Sequence, residues 1–85
     1  MGNKVREMTI YHANNQLETK SFVGQPELAE MQEVVGGFIA YVQLPRGNNH
    51  KKMVVNEEGL LMGLPVNRKA SLIANQTIVG TALVY

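Results

Sequence analysis

The closing segment, Thr77 to Tyr85, carries Ile78, Val79, Ala82, Leu83, Val84 and Tyr85 and has no polar side to offer water. A strand that alternates apolar and polar residues rests one side on a core and solvates the other, whereas a strand apolar on both sides has to be covered twice. It closes a C-terminal third that begins with an apolar run from Met53. That run enters a turn at Asn56-Glu57-Glu58-Gly59 and passes through Gly63-Leu64-Pro65-Val66-Asn67. The third reads as an ordered structural unit without catalytic apparatus.

The remaining elements follow from local signals. Val5 to Tyr11 is rich in β-formers, and Asn14-Asn15 tolerates turn conformations, which predicts a strand and a turn. Leu17 to Val23 is its antiparallel partner, with an alternation weak enough to predict an edge strand or one paired only in part. Pro26 suits a first helical turn, and Glu27 and Glu30 sit well near the positive end of the helix dipole. Leu28, Met31, Val34 and Val35 form one apolar stripe, and Gly36-Gly37 supplies the stop. Phe38 to Leu44 is the next strand, ended by Pro45. The polar connection Arg46 to His50 leads to a strand over Lys51 to Asn56, making a hairpin. Gly59 is expected in a left-handed turn position. Leu60 to Pro65 is expected to be a buried link or short strand.

Asn67 is placed to cap a helix over Arg68 to Ala74, accepting from the amide of residue 69 or 70. That helix should bury Ala70, Leu72 and Ile73 and end at Asn75. The order β-β-α-β-β-α-β predicts an α+β fold, one domain over residues 1–85 with a mostly antiparallel sheet of about five strands. Two short helices look too small to cover both faces of such a sheet. A homo-oligomer is therefore expected, dimer or larger, with its interface at Ile78, Val79, Leu83, Val84 and Tyr85.

Composition narrows the chemistry. At 85 residues with 45% hydrophobic and 18% charged, the chain suits one small core, and it has no Cys for disulfides, thiolate catalysis or Cys-type zinc sites. His12 and His50 are distant and lack metal-ligand spacing, so neither metal nor cofactor is expected. The formal charge of +1 is too small for the broad field that drives backbone binding to nucleic acid, which disfavours that partner. The N-terminus has Lys4, Arg6 and Glu7 where a signal peptide would be apolar, and no run is long enough to span a membrane. A soluble, cytoplasmic protein is expected.

No catalytic residue is assigned. Glu57 and Glu58 are adjacent at a strand end and point apart, where general acid–base work needs convergence. Neither a dinucleotide fingerprint nor a P-loop is present, and Ser21 and Ser71 lack any nucleophile context. Tyr11, Tyr41 and Tyr85 have the rings to stack on a base, but packing explains Tyr41 and Tyr85 more simply. The cations gather in two places: Arg46, Lys51 and Lys52 with His50 around the hairpin loop, and Arg68-Lys69 at a helix start. Should these groups meet, Arg46, His50, Lys51, Lys52, Asn67 and Arg68 would form a pocket for phosphate.

The combination Val35-Gly36-Gly37, Asn56-Glu57-Glu58-Gly59, Leu64-Pro65-Val66-Asn67 and Ile78-Val79-Gly80 resembles a family of small proteins from bacteriophages and large algal viruses, classed as a domain of unknown function. The resemblance covers about residues 33–85, with Met1 to Gln32 departing in detail. It implies an origin in a virus or mobile element and a role inside the infected host cell, but no reaction. Together these readings predict a non-enzymatic binding protein. It would sequester a small phosphorylated, nucleotide-type host defence signal, or a host protein. The alternatives are a nucleic-acid accessory protein using residues 46–52, or a structural protein.

Overall fold

A computed structural model describes residues 4–47 and 51–85. The chain forms β1 (Val5–Tyr11), β2 (Leu17–Val23), α1 (Leu28–Val35), β3 (Ile39–Val42), β4 (Met53–Asn56), α2 (Arg68–Ala74) and β5 (Ala82–Val84). This is the α+β order read from the sequence. The strands make one antiparallel sheet in the order β2-β1-β5-β4-β3, so β5, last in sequence, is central in space. β1 and β2 are paired along all seven positions from Val5 opposite Val23 to Tyr11 opposite Leu17. β2 is thus an edge strand paired in full on its inner side.

The closing apolar segment is sheltered within one chain. Along β5 successive side chains point to opposite faces. Leu83 joins Met8, Ile10, Phe22, Val54 and Tyr85 beneath Met31 and Val35 of α1. Ala82 and Val84 join Met53 and Ile78 beneath Ala70 and Ala74 of α2. Leu83 and Ala82 have no accessible surface, and Ile78, Val84 and Tyr85 are buried as well. The expectation that this strand needs a second subunit is therefore overturned. Ile78, Leu83, Val84 and Tyr85 are core residues and so do not form the expected interface, while Val79 is half-buried beside Gly59. The area that must be covered is set by apolar side chains and not by strand count. α1 lies over β5, β4 and the edge strand β3, while α2 contributes the small residues Ala70 and Ala74 to the cluster on the other face.

Local signals place most boundaries. Gly36 ends α1 in the left-handed conformation (φ 82°), and Asn75 ends α2 likewise (φ 55°). Four expectations fail, the first being the closing strand, which is confined to Ala82–Val84 after a left-handed Gly80 instead of running from Thr77 to Tyr85. Leu72 is 82% exposed because α2 turns Ala70 and Ala74 inward instead. Leu60 and Leu61 are exposed as well, because residues 57–63 coil into tight turns closed by Met62 N–H to the Glu58 carbonyl and Gly63 N–H to the Leu60 carbonyl. Gly59 is not left-handed: a Cβ there would lie 2.9 Å from Val79 Cγ2, so the position demands space and not an unusual φ.

Candidate functional site

The two ends of the sheet are built differently. The strand pairings put Tyr11, Asn56 and the entry to β5 at one end and Val42, Lys52 and Tyr85 at the other.

At the first end, Asn67 has no accessible surface and uses its whole side chain internally. Its Oδ1 accepts from the Ala70 amide at 3.1 Å, and its Nδ2 donates to the Tyr11 carbonyl at 2.7 Å and the Gly80 carbonyl at 2.8 Å. One amide thus caps α2 and ties it to β1 and to the segment entering β5. Backbone bonds complete the tie, from the Asn67 amide to the Ile78 carbonyl and from the Gly80 amide to the Pro65 carbonyl, each 2.7 Å. Leu64 lies against the α-carbons of two glycines. A Cβ on Gly80 would come within 2.7 Å of Leu64 Cδ1, and one on Gly59 within 3.6 Å. Gly80 also has φ 75°, so it combines close approach with a conformation that side chains disfavour. Asn56, buried at the end of β4, donates to the Val35 carbonyl at 3.1 Å and accepts from the Glu58 amide at 2.7 Å. Ser71 Oγ donates to the Asn67 carbonyl at 2.6 Å and accepts from the Ile78 amide at 2.8 Å, which gives it a structural task.

Asn67 is therefore not a ligand-binding residue, since no donor or acceptor on it is left to face solvent. Arg68 is exposed beside it, while Lys69 Nζ donates to the Asn15 carbonyl at 3.1 Å. The seven-residue α2 starts at this end of the sheet, so Arg68 does not meet Arg46, Lys51 and Lys52, which lie at the other. About 10 Å of β5 separates the two ends at the strand rise of roughly 3.3 Å per residue. The single pocket that would join both basic groups does not form. His50 lies outside the described residues. Glu57 and Glu58 are both exposed on the turn, and among the described residues no group of three or more His, Asp or Glu could hold a metal ion.

At the second end a cleft of about 640 Å³ opens where β3 runs out, lined by Tyr41 to Arg46 on one side and Lys51 and Lys52 on the other. Its wall is apolar at Val42, Leu44 and Pro45, and Arg46, Lys51 and Lys52 are exposed at its rim. Among the described residues the ion pairs are His12 with Glu18 at 2.9 Å and Lys20 with Glu30 at 4.0 Å, and neither involves a cleft cation. Tyr41, 59% exposed, is also among the lining residues, and its hydroxyl lies 3.5 Å from that of Tyr85. Burial, then the Tyr41 hydroxyl beside it, pushes the Tyr85 phenol up to about 12. Tyr85 also meets Phe22 edge-on, with centroids 6.0 Å apart, and Arg6 lies over the Phe22 ring at 5.3 Å. Three of the six nominated ligand residues, Arg46, Lys51 and Lys52, thus come together. Tyr41 joins them, although its place in an apolar run suggested core packing. The signal missed was β3's position at the sheet edge, ended by Pro45.

The fold and both ends define a small α+β domain built on one five-stranded sheet. The chain belongs to the family described as a domain of unknown function, DUF3846, whose model matches residues 7–85. The match takes in most of β1 and all of β2 with the rest of the chain, correcting the expectation that the family resemblance starts near residue 33. The chain matches no curated protein and no solved structure. Among the described residues no helix is long and apolar enough to cross a membrane.

Proposed function

We propose that the protein is a non-enzymatic binding protein that takes up a small phosphorylated, nucleotide-type ligand in the cleft at the Lys52 end of the sheet. One observation carries this reading: three cations, Arg46, Lys51 and Lys52, rim an apolar wall, and no carboxylate of the described residues pairs with them. Guanidinium and ammonium groups bind phosphate through charge-assisted hydrogen bonds, Arg with a fork and Lys as a point charge. The exposed Tyr41 ring supplies a surface on which a base can stack. Sequestration is the action that fits, since no nucleophile, base pair or metal cluster of the described residues borders the cations. The viral or mobile-element origin rests on the motif pattern alone and places such a sponge in a host cell, where the ligand would be a defence signal.

Isothermal titration against a panel of cyclic and linear nucleotides tests the reading. Heat is expected with at least one of them, weakened at least about tenfold by Arg46→Ala or Lys52→Ala, which corresponds to losing one charge-assisted contact. Silence with the whole panel would sink it. Nucleic-acid binding through the same cations is the second reading, and it predicts an affinity falling steeply with salt.

A further inference from the structure

The oligomer expected from β5 has lost its basis, but the sheet has another surface able to join two copies. β2 is a regular seven-residue edge: every residue is paired on the inner side, it contains neither proline nor bulge, and its outer backbone groups face away from the sheet. The other edge, β3, is four residues long and closely followed by Pro45. Short strands and prolines are the usual ways of blunting an edge, and β2 has neither.

We infer that β2 pairs antiparallel with β2 of a second copy of this chain, in the single register that centres on Thr19, continuing the sheet across both molecules. Charge complementarity selects the register. In a symmetric antiparallel pair the two-fold axis is perpendicular to the sheet, and directly opposed residues share a face, so the axis has to pass through a residue. With the axis at Thr19, Glu18 of each copy faces Lys20 of the other. Moving it to Glu18 sets two carboxylates opposite one another, and moving it to Lys20, the register of fullest overlap, sets two ammonium groups opposite one another. An axis at Ser21 puts Lys20 opposite the apolar Phe22. Like charges directly opposed across strands are destabilising and opposite charges stabilising. A lone edge lysine ordinarily repels any added strand. Here Lys20 guards β2 in the neighbouring registers and is matched in one.

The groups around these charges leave room for the pairing. Glu18 accepts from His12 Nε2 through one oxygen at 2.9 Å, which leaves its second oxygen for Lys20 of the other copy. Lys20 lies 4.0 Å from Glu30, at the outer limit of an ion pair, so its N–H donors are not saturated. Both side chains are on the α1 side of the sheet, opposite Ile10 and Met8 of β1, which puts the two copies' α1 helices on one face of a continuous sheet. This inference does not rest on the cleft, which lies on the β3 side of the sheet, so titration of nucleotides and the test below can fail separately.

The absence of Cys makes the test clean. Thr19→Cys, an exposed and conservative change, brings two thiols opposite one another with α-carbons about 4.5–5.5 Å apart, inside the range a disulfide spans. Ser21→Cys places its thiols about four residues out of register, roughly 13 Å apart and beyond reach. Under mild oxidation Thr19→Cys is expected to form a covalent dimer much faster than Ser21→Cys. By light scattering, Glu18→Lys and Lys20→Glu are each expected to weaken the dimer at least about tenfold, and the double exchange Glu18→Lys/Lys20→Glu to restore it, since the swapped charges match in the same register. A strict monomer at micromolar concentration, equal cross-linking of the two Cys variants, or a double exchange no better than the single changes would each overturn the inference.

Discussion

The Asn67 end of the sheet and the Lys52 end spend their polar groups in opposite ways. At the first, Asn56, Asn67 and Ser71 turn their side-chain donors and acceptors inward onto backbone carbonyls and amides, some a turn away and others as distant as Val35 and Tyr11. Leu64 meanwhile fills space that exists because Gly80 has no side chain, and Val79 does the same at Gly59. At the second, Arg46, Lys51 and Lys52 carry charge into solvent beside an apolar wall without an internal counter-charge among the described residues. The segments Asn56 to Gly59, Leu64 to Asn67 and Ile78 to Gly80 fall at the closed end. They record how this fold is locked. Such polar segments are easily mistaken for a site, and here Leu64 to Asn67 and Ile78 to Gly80 tie α2 to β1 and to the entry to β5.

The contrast can be broken most forcefully at Asn67. Asn67→Ala deletes a helix cap and strands the buried Ala70 amide with the Tyr11 and Gly80 carbonyls, for an expected loss of about 3 kcal/mol. Urea denaturation measures it as a shift in midpoint. A loss below about 1 kcal/mol would mean that the tie is not what holds this end. Gly80→Ala is expected to cost about 2 kcal/mol, from its left-handed φ and the approach to Leu64. The companion change Leu64→Ala, which relieves the approach but not the φ, should recover only part of the strain, visible as non-additivity in a double-mutant cycle.

A smaller effect comes from Tyr85, near the open end. Its folded-state hydroxyl holds its proton to about 12, whereas the unfolded chain releases it near the ordinary value of 10.0. The native state therefore binds more protons between those values, so this contribution to stability is complete below pH 10 and declines as pH rises from about 10 to 12. Tyr85→Phe should flatten that part of the stability profile. An unchanged slope would show that the phenol is as accessible in the fold as out of it. The smallest expected effect is at the cleft rim: Arg46→Ala, Lys51→Ala and Lys52→Ala should each shift stability by no more than about 0.5 kcal/mol, since exposed, unpaired cations contribute little to a fold. The same changes should weaken ligand binding, and that divorce of stability from binding is what separates the two ends.

Much of this architecture was legible because its signals are local. Gly36 after the Leu28 to Val35 stripe, Asn67 before Arg68 and Asn75 after Ala74 each predict a helix end from neighbouring residues, and each stands there. What failed depended on distant contacts. The cap at Asn67 can be read from sequence, but its other two bonds reach Tyr11, 56 positions away, and Gly80, 13 positions away. Gly59 looks like a turn glycine, although Val79 is what excludes a side chain there. A seven-residue helix makes about two turns, too few for periodicity to decide between a face bearing Leu72 and one bearing Ala70 and Ala74. The apolar character of the closing segment correctly demanded cover on both sides, but no local pattern reveals that β5 inserts between β1 and β4, where the same chain provides it. The cations of the cleft were visible as a cluster, and their separation from Arg68 was not, because it follows from strand order.

The most direct test is a titration of the isotopically labelled protein with a nucleoside monophosphate, followed residue by residue through amide chemical shifts. Shifts confined to Tyr41–Val42, Gln43–Leu44, Arg46 and Lys51–Lys52, with Asn56, Gly59, Leu64, Asn67 and Gly80 unmoved, are the predicted result. Shifts centred on Asn67 and Gly80, or none anywhere at millimolar ligand, would contradict the division of the molecule into a locked end and a receiving one.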